Sequence, residues 1–124
     1  MRRTKNIARF GFMLALAAVF WLGLTSNEII LEWSFSWDKA NHALAFLVLS
    51  LLIDYALLET DNFFWQVCAL MTIGLFLEWL QSLSGERSFE MLDLFANGMG
   101  IALYGAIRSR IRAHFDPILR VYLG

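Results

Sequence analysis

The chain has 124 residues, of which 59% are hydrophobic and 17% charged, and its mean hydropathy is +0.58. That length suits one domain, and a water-soluble domain of this size has too much surface to cover with so few charges, so a bilayer is the surrounding that fits. A net charge of −1 gives no electrostatic footing for nucleic acid, so no nucleic-acid partner is expected, and a lone cysteine, Cys68, excludes an intrachain disulfide.

Arg2, Arg3 and Lys5 lead into the first apolar run. Residues 10–27 carry no charge, and a helix over 7–25 reaches across a hydrocarbon core of roughly 30 Å. No small-residue cleavage site follows this run before Ser26, so it reads as a retained helix and not a signal peptide. A second helix is predicted over 39–58, with Asp54 the only charge beyond Lys39. The third, over 62–82, carries only Glu78, and Cys68 inside it reads as a small buried thiol. The fourth, over 92–108, opens on Asp93 and is uncharged only over 94–107, so it must draw on its flanks to span. From Ala113 onward, His114, Asp116 and the only proline, Pro117, suggest a short amphipathic or frayed end. The expected fold class is all-α: one domain over 1–124, a four-transmembrane-helix bundle with the lipid bilayer as its partner.

Basic residues cluster at the two ends. Arg2, Arg3, Lys5 and Arg9 precede the first span, Arg108, Arg110, Arg112 and Arg120 follow the last, and only Lys39 and Arg87 fall elsewhere. Positive charge is held on the cytoplasmic side, so both termini are expected inside, which an even number of spans satisfies. Trp21, Trp33, Trp37 and Trp79 then fall near the outer boundary and Trp65 near the inner one, as amphipathic rings tend to. Asp54 is expected to snorkel toward inner water with Glu59, the alternative being a buried partner such as Gln66.

The remaining polar residues gather at the outer ends of the helices. Asp38, Lys39 and His42 open the second span, Glu78 and Gln81 close the third, Arg87 and Ser88 lie in the outer loop, and Asp93 and Asn97 open the fourth. Asp38/His42 and Asp93/Asn97 are spaced i,i+4 and Glu78/Gln81 i,i+3, so each pair shares one helix face. Polar groups at membrane depth are costly against lipid, so these faces are expected to meet in one cluster.

The segment DKANHALAF from Asp38 to Phe46, followed by E-x2-Q-x5-R-S-x4-D-x3-N-x2-G from Glu78 to Gly100, closely resembles the VanZ-like family of small bacterial membrane proteins. The resemblance covers roughly 37–105. Many members carry Pro-Gly directly before the arginine, where this chain has Ser84-Gly85-Glu86. The resemblance implies a multi-pass protein of the bacterial cell (inner) membrane, associated through the family's namesake with resistance to the glycopeptide teicoplanin. It implies no defined reaction.

Several readings stand side by side for these residues. Asp38 and Asp93 lie near helix N-termini, where a carboxylate caps backbone N–H groups, and they are equally candidates for a site. His42 is either a satisfied interfacial histidine or, beside Asp38 or Glu78, a general acid/base, with His42 and Glu78 the catalytic candidates. Metal ligation by Asp38, His42, Glu78 and Asp93 is the lesser reading, because no HExxH-type spacing supports it, and no metal or cofactor is expected. Arg87 either pairs with Glu78, Glu86 or Asp93, or joins Lys39 in meeting an anion at the N-termini of the second and fourth helices. Ser88 is the only hydroxyl near His42, without triad spacing. The ligand-binding set is therefore Asp38, Lys39, His42, Glu78, Gln81, Arg87, Ser88, Asp93 and Asn97, and the expected ligand is an anionic lipid or lipid-linked cell-wall precursor. Gly98, Ala102 and Ala106 form a small-residue face suited to close helix packing and to a homo-oligomer.

Overall fold

A computed structural model describes residues 1–24, 38–57, 62–83 and 90–124. They form four helices: α1 (Arg2–Leu24), α2 (Asp38–Ala56), α3 (Phe63–Leu83) and α4 (Met91–Leu123). No strand occurs among the described residues, so the fold is all-α. Successive helices run antiparallel. The end of α1, the start of α2, the end of α3 and the start of α4 therefore share one end of the bundle, as the Gln81 amide donating to the Gly23 carbonyl at 2.8 Å illustrates.

The helix positions follow the apolar runs closely, with two differences. Helix α1 begins at Arg2, so its basic segment is helical and packs through Thr4 and Ala8. The larger difference is α4, which runs unbroken for 33 residues through Pro117, a length of about 50 Å. Of the amphipathic or frayed end expected from Ala113, the frayed form does not occur. Proline withholds an N–H and crowds the preceding turn, but the contacts of this segment outweigh that cost. Leu119 and Ile111 pack on Ala8, Tyr55 and Ala56, and the Tyr55 hydroxyl donates to Asp116 Oδ1 at 3.0 Å. Arg9 adds a bond from its Nε to the Ala56 carbonyl at 3.3 Å. The Tyr55 bond and the packing around Ala8 dock the C-terminal half of α4 beside α1 and α2, which the Arg9 bond ties together.

Helix α2 is the centre of the bundle and packs most closely on α4. Its Phe46, Leu49 and Ile53 form the core with Leu70 of α3 and Ile101 of α4, and α1 lays Phe12, Leu16 and Val19 against it. The α2–α4 crossing is set by Gly100, where a β-carbon would stand 2.0 Å from the Ala43 carbonyl oxygen. Only a glycine permits backbones this near.

Two helices, α1 and α3, are long and apolar enough to cross a membrane. Helices α2 and α4 fall below that standard because polar residues such as Lys39, His42 and Asp54, and Asp93 and Asn97, lower their mean hydropathy.

Candidate functional site

At the end where α2 and α4 begin, three helices each contribute polar side chains to one cluster. Lys39 on α2 bonds Asp93 on α4 and reaches Glu90 Oε2 at 2.5 Å. One turn further along α2, His42 places Nδ1 3.0 Å from Asn97 Oδ1 and Nε2 3.8 Å from Asp93 Oδ2. The i,i+4 spacing of Asp93 and Asn97 along α4 thus meets His42 at both of its ring nitrogens. From α3, Glu78 completes the group: donor atoms of His42, Glu78 and Asp93 all lie within 4.8 Å of one another.

Burial here is deep. Glu78 is 1% exposed and Asn97 fully buried. Glu78 Oε2 accepts the Glu90 N–H at 3.4 Å, whereas its Oε1 has no hydrogen-bond partner. The space for Asn97 comes from Gly74 on α3, where a β-carbon would lie 2.9 Å from Asn97 Nδ2. Asp93 occupies the first turn of α4, the end of a helix that favours negative charge, but its carboxylate turns to Lys39 and His42 instead of capping the backbone.

The nine ligand-binding candidates divide into three groups. Lys39, His42, Glu78, Asp93 and Asn97 meet. Gln81 is buried but bonds to the end of α1, tying α3 to α1. Arg87, Ser88 and the side chain of Asp38 lie outside the described residues, as do Trp33, Trp37 and Glu59. Glu90, which brackets Lys39 from the entrance to α4, was not anticipated. Its only signal in the sequence is a carboxylate one turn before Asp93. Of the small-residue face, Ala102 and Ala106 are exposed, while Gly98 is half-buried near Met71 of α3. Cys68 is half-buried, not enclosed.

No family model, curated protein or solved structure matches this chain.

At the opposite end a second polar group surrounds Asp54, which is fully buried. Arg108 clamps it from α4 with two bonds, Nε to Oδ2 at 3.0 Å and Nη2 to Oδ1 at 2.8 Å. The Tyr104 hydroxyl donates to Oδ2 at 2.8 Å and Gln66 Nε2 to Oδ1 at 3.3 Å, with Arg112 Nε 3.7 Å away. Asp54 therefore does not snorkel to water. The buried-partner alternative holds, with Gln66 the weakest of its partners. The reason lies in α4: Tyr104, Arg108 and Arg112 repeat every four residues and present one face to Asp54. A fork-on-carboxylate pair satisfies both charges at once. Phe63 stacks beneath Arg108, 5.3 Å from the guanidinium carbon to the ring centre.

The two groups differ in chemistry. Around Asp54 every carboxylate oxygen is bonded, in the manner of a structural lock. Around Glu78 a buried oxygen is left over, beside an imidazole and a second carboxylate, and this end is the candidate site.

Proposed function

We propose that the chain is a four-span, VanZ-like protein of the bacterial cell membrane with both termini in the cytoplasm. Its outward end receives the phosphate-bearing head of an envelope lipid or lipid-linked cell-wall precursor. The observation that carries this reading is an inverted pattern of burial along the helices. On α4, Asp93, Asn97 and Tyr104 are buried while Leu92, Phe95, Met99 and Leu103 are exposed. On α3, Gln66, Glu78 and Gln81 are buried while Phe64, Leu75, Phe76 and Trp79 are exposed. On α2, Ser50 and Asp54 are buried while Leu44 and Val48 are exposed. An apolar exterior so extensive is costly in water. Polar groups turned inward with apolar groups outward is the low-energy arrangement in hydrocarbon.

The same pattern supports an amphiphilic ligand. Acyl or polyprenyl chains would lie on the apolar exterior near Trp21, Trp79 and Leu83, which are exposed at this end. The head would meet the polar cluster between α2, α3 and α4. Lys39 supplies one positive charge, already shared with Asp93 and Glu90, and Arg87 supplies a second from the segment joining α3 to α4. By family resemblance, occupancy of this site alters sensitivity to teicoplanin-type antibiotics.

A second reading is enzymatic, favoured by the closeness of His42 and Glu78 within the buried cluster. Imidazole and carboxylate so placed serve as acid and base for a lipid phosphate ester. One experiment addresses both: the chain is purified from bacterial membranes in mild detergent and its lipids are identified by mass spectrometry. The binding reading expects a phosphate-bearing lipid enriched over the bulk membrane and lost in Arg87→Ala. Turnover of that lipid on incubation would assign catalysis. Bulk lipid composition in both proteins would reject the site as a lipid receptor.

A further inference from the structure

We propose that His42, Glu78 and Asp93 hold a divalent first-row transition-metal ion, of the zinc or manganese class, between α2, α3 and α4. The ion would lie in the cluster proposed above to meet the lipid head, but the inference is independent of that reading, since it is argued from the side chains alone and is measurable with no lipid present.

The donors are already near their places. One donor atom from each of the three residues lies within 4.8 Å of the other two, and His42 Nε2 and Asp93 Oδ2 are 3.8 Å apart. An ion with metal–ligand bonds of about 2.1 Å spaces tetrahedral ligands about 3.4 Å from each other. Side-chain rotations that close the group by up to about 1.4 Å would therefore complete three coordination bonds. One imidazole with two carboxylates is a mixed donor set that suits zinc or manganese better than magnesium or calcium, which favour oxygen alone.

Two observations beyond the clustering point to a cation. Glu78 is 1% exposed and its Oε1 lacks any hydrogen-bond partner. A buried carboxylate oxygen that accepts no hydrogen bond is costly, and a bound cation would satisfy it. The second is the orientation of His42. His42 Nδ1 lies 3.0 Å from Asn97 Oδ1, and in the tautomer that donates from Nδ1 the other ring nitrogen, Nε2, faces Asp93 Oδ2 at 3.8 Å. Metal-bound histidines are commonly held in this way, by a carbonyl behind the ring that sets the tautomer.

Charge is consistent with a divalent ion. Among the described residues the site gathers the carboxylates of Glu78, Glu90 and Asp93 against the single ammonium of Lys39. Ionised, these leave an excess of two negative charges. Lys39 keeps Asp93 Oδ1 while Oδ2 turns to the ion, so the two cations need not compete for one atom. The open coordination positions would take water or an anionic oxygen of a ligand.

The test uses the full chain in detergent, stripped with chelator and titrated calorimetrically with Zn2+ and with Mn2+. The expected result is one equivalent bound, a raised melting temperature, and no displacement by excess Mg2+ or Ca2+. Glu78→Gln and His42→Ala should each weaken binding at least tenfold, while His114→Ala, which alters an exposed histidine on α4, should leave it unchanged. His42→Gln, which keeps a polar side chain of similar reach, serves if either of the first two variants fails to fold. Binding below one equivalent, or affinity that survives loss of both Glu78 and His42, would overturn the proposal. In that case a shared proton and Lys39 alone balance the carboxylates.

Discussion

Substituting Gly100 by alanine tests the packing that assembles both polar groups. A β-carbon there would lie 2.0 Å from the Ala43 carbonyl oxygen, 2.9 Å from its carbon and 3.0 Å from the Leu47 nitrogen. All three are backbone atoms of α2, so no rotamer change relieves the contact. Ordinary carbon–oxygen approach is about 3.3 Å, so α4 and α2 must separate by more than about an ångström at their crossing. Overpacking of this kind typically costs about 1–3 kcal/mol. The crossing also carries the Lys39–Asp93, His42–Asn97 and Asp54–Arg108 pairs, all of which lengthen if the helices part, so the upper end, about 3 kcal/mol, is expected. Gly98→Ala is the internal comparison, because its β-carbon would meet nothing nearer than Met71 Sδ at 3.8 Å. Replacing a helical glycine without a clash is worth roughly 0.5–1 kcal/mol in the other direction. Unfolding in detergent, followed by circular dichroism with rising temperature or denaturing surfactant, reads both. A Gly100→Ala protein as stable as the parent, or a Gly98→Ala protein equally destabilised, would refute the reasoning.

Three further outcomes are expected. Asp54→Ala strands the Arg108 guanidinium inside the bundle, and breaking a buried pair costs roughly 3–5 kcal/mol; Asp54→Leu combined with Arg108→Leu should recover most of the lost melting temperature. Tyr55→Phe removes the bond to Asp116 and should cost about 1 kcal/mol, with faster proteolysis of the C-terminal half of α4 as its sign. Arg87→Ala should leave the melting temperature of lipid-free protein nearly intact and abolish stabilisation by an added phosphate-bearing lipid. Strong destabilisation rescued by a second change, Glu78→Gln, would mean that Arg87 only neutralises carboxylates.

Much of the fold could be read from the chain because apolar runs set helix positions independently of any partner. The expected helices over 39–58 and 62–82 differ from α2 and α3 by only a residue or two at each end. The convergence of His42, Glu78, Asp93 and Asn97 was legible for a related reason: polar residues at one depth, each on a single helix face, have few low-energy choices but one another. What the chain does not carry on its surface is the choice of partner. Asp54 gains Arg108 because α4 aligns its basic face with α2, and that alignment depends on the Gly100 crossing, a contact far away in sequence. Gln81 shares a face with Glu78, yet its amide donates to the Gly23 carbonyl in the last turn of α1, where helix carbonyls lack intrahelical partners. Pro117 invited an early end to α4, because a helix-breaking residue is visible in sequence and the tertiary contacts of Asp116 and Leu119 that offset it are not.

The central claim is that all four helices cross the membrane, which would put the polar cluster on the outer side. Cysteine accessibility tests it most directly, in a background where Cys68, the only native cysteine, is changed to serine. Single cysteines are placed at Ser26, Thr60, Ser84 and Gly124 and treated with a membrane-impermeant maleimide. The account predicts that Ser26→Cys and Ser84→Cys are labelled in intact cells, and that Thr60→Cys and Gly124→Cys are labelled only after permeabilisation. Labelling of Thr60→Cys or Gly124→Cys from outside, or protection of Ser84→Cys, would contradict it.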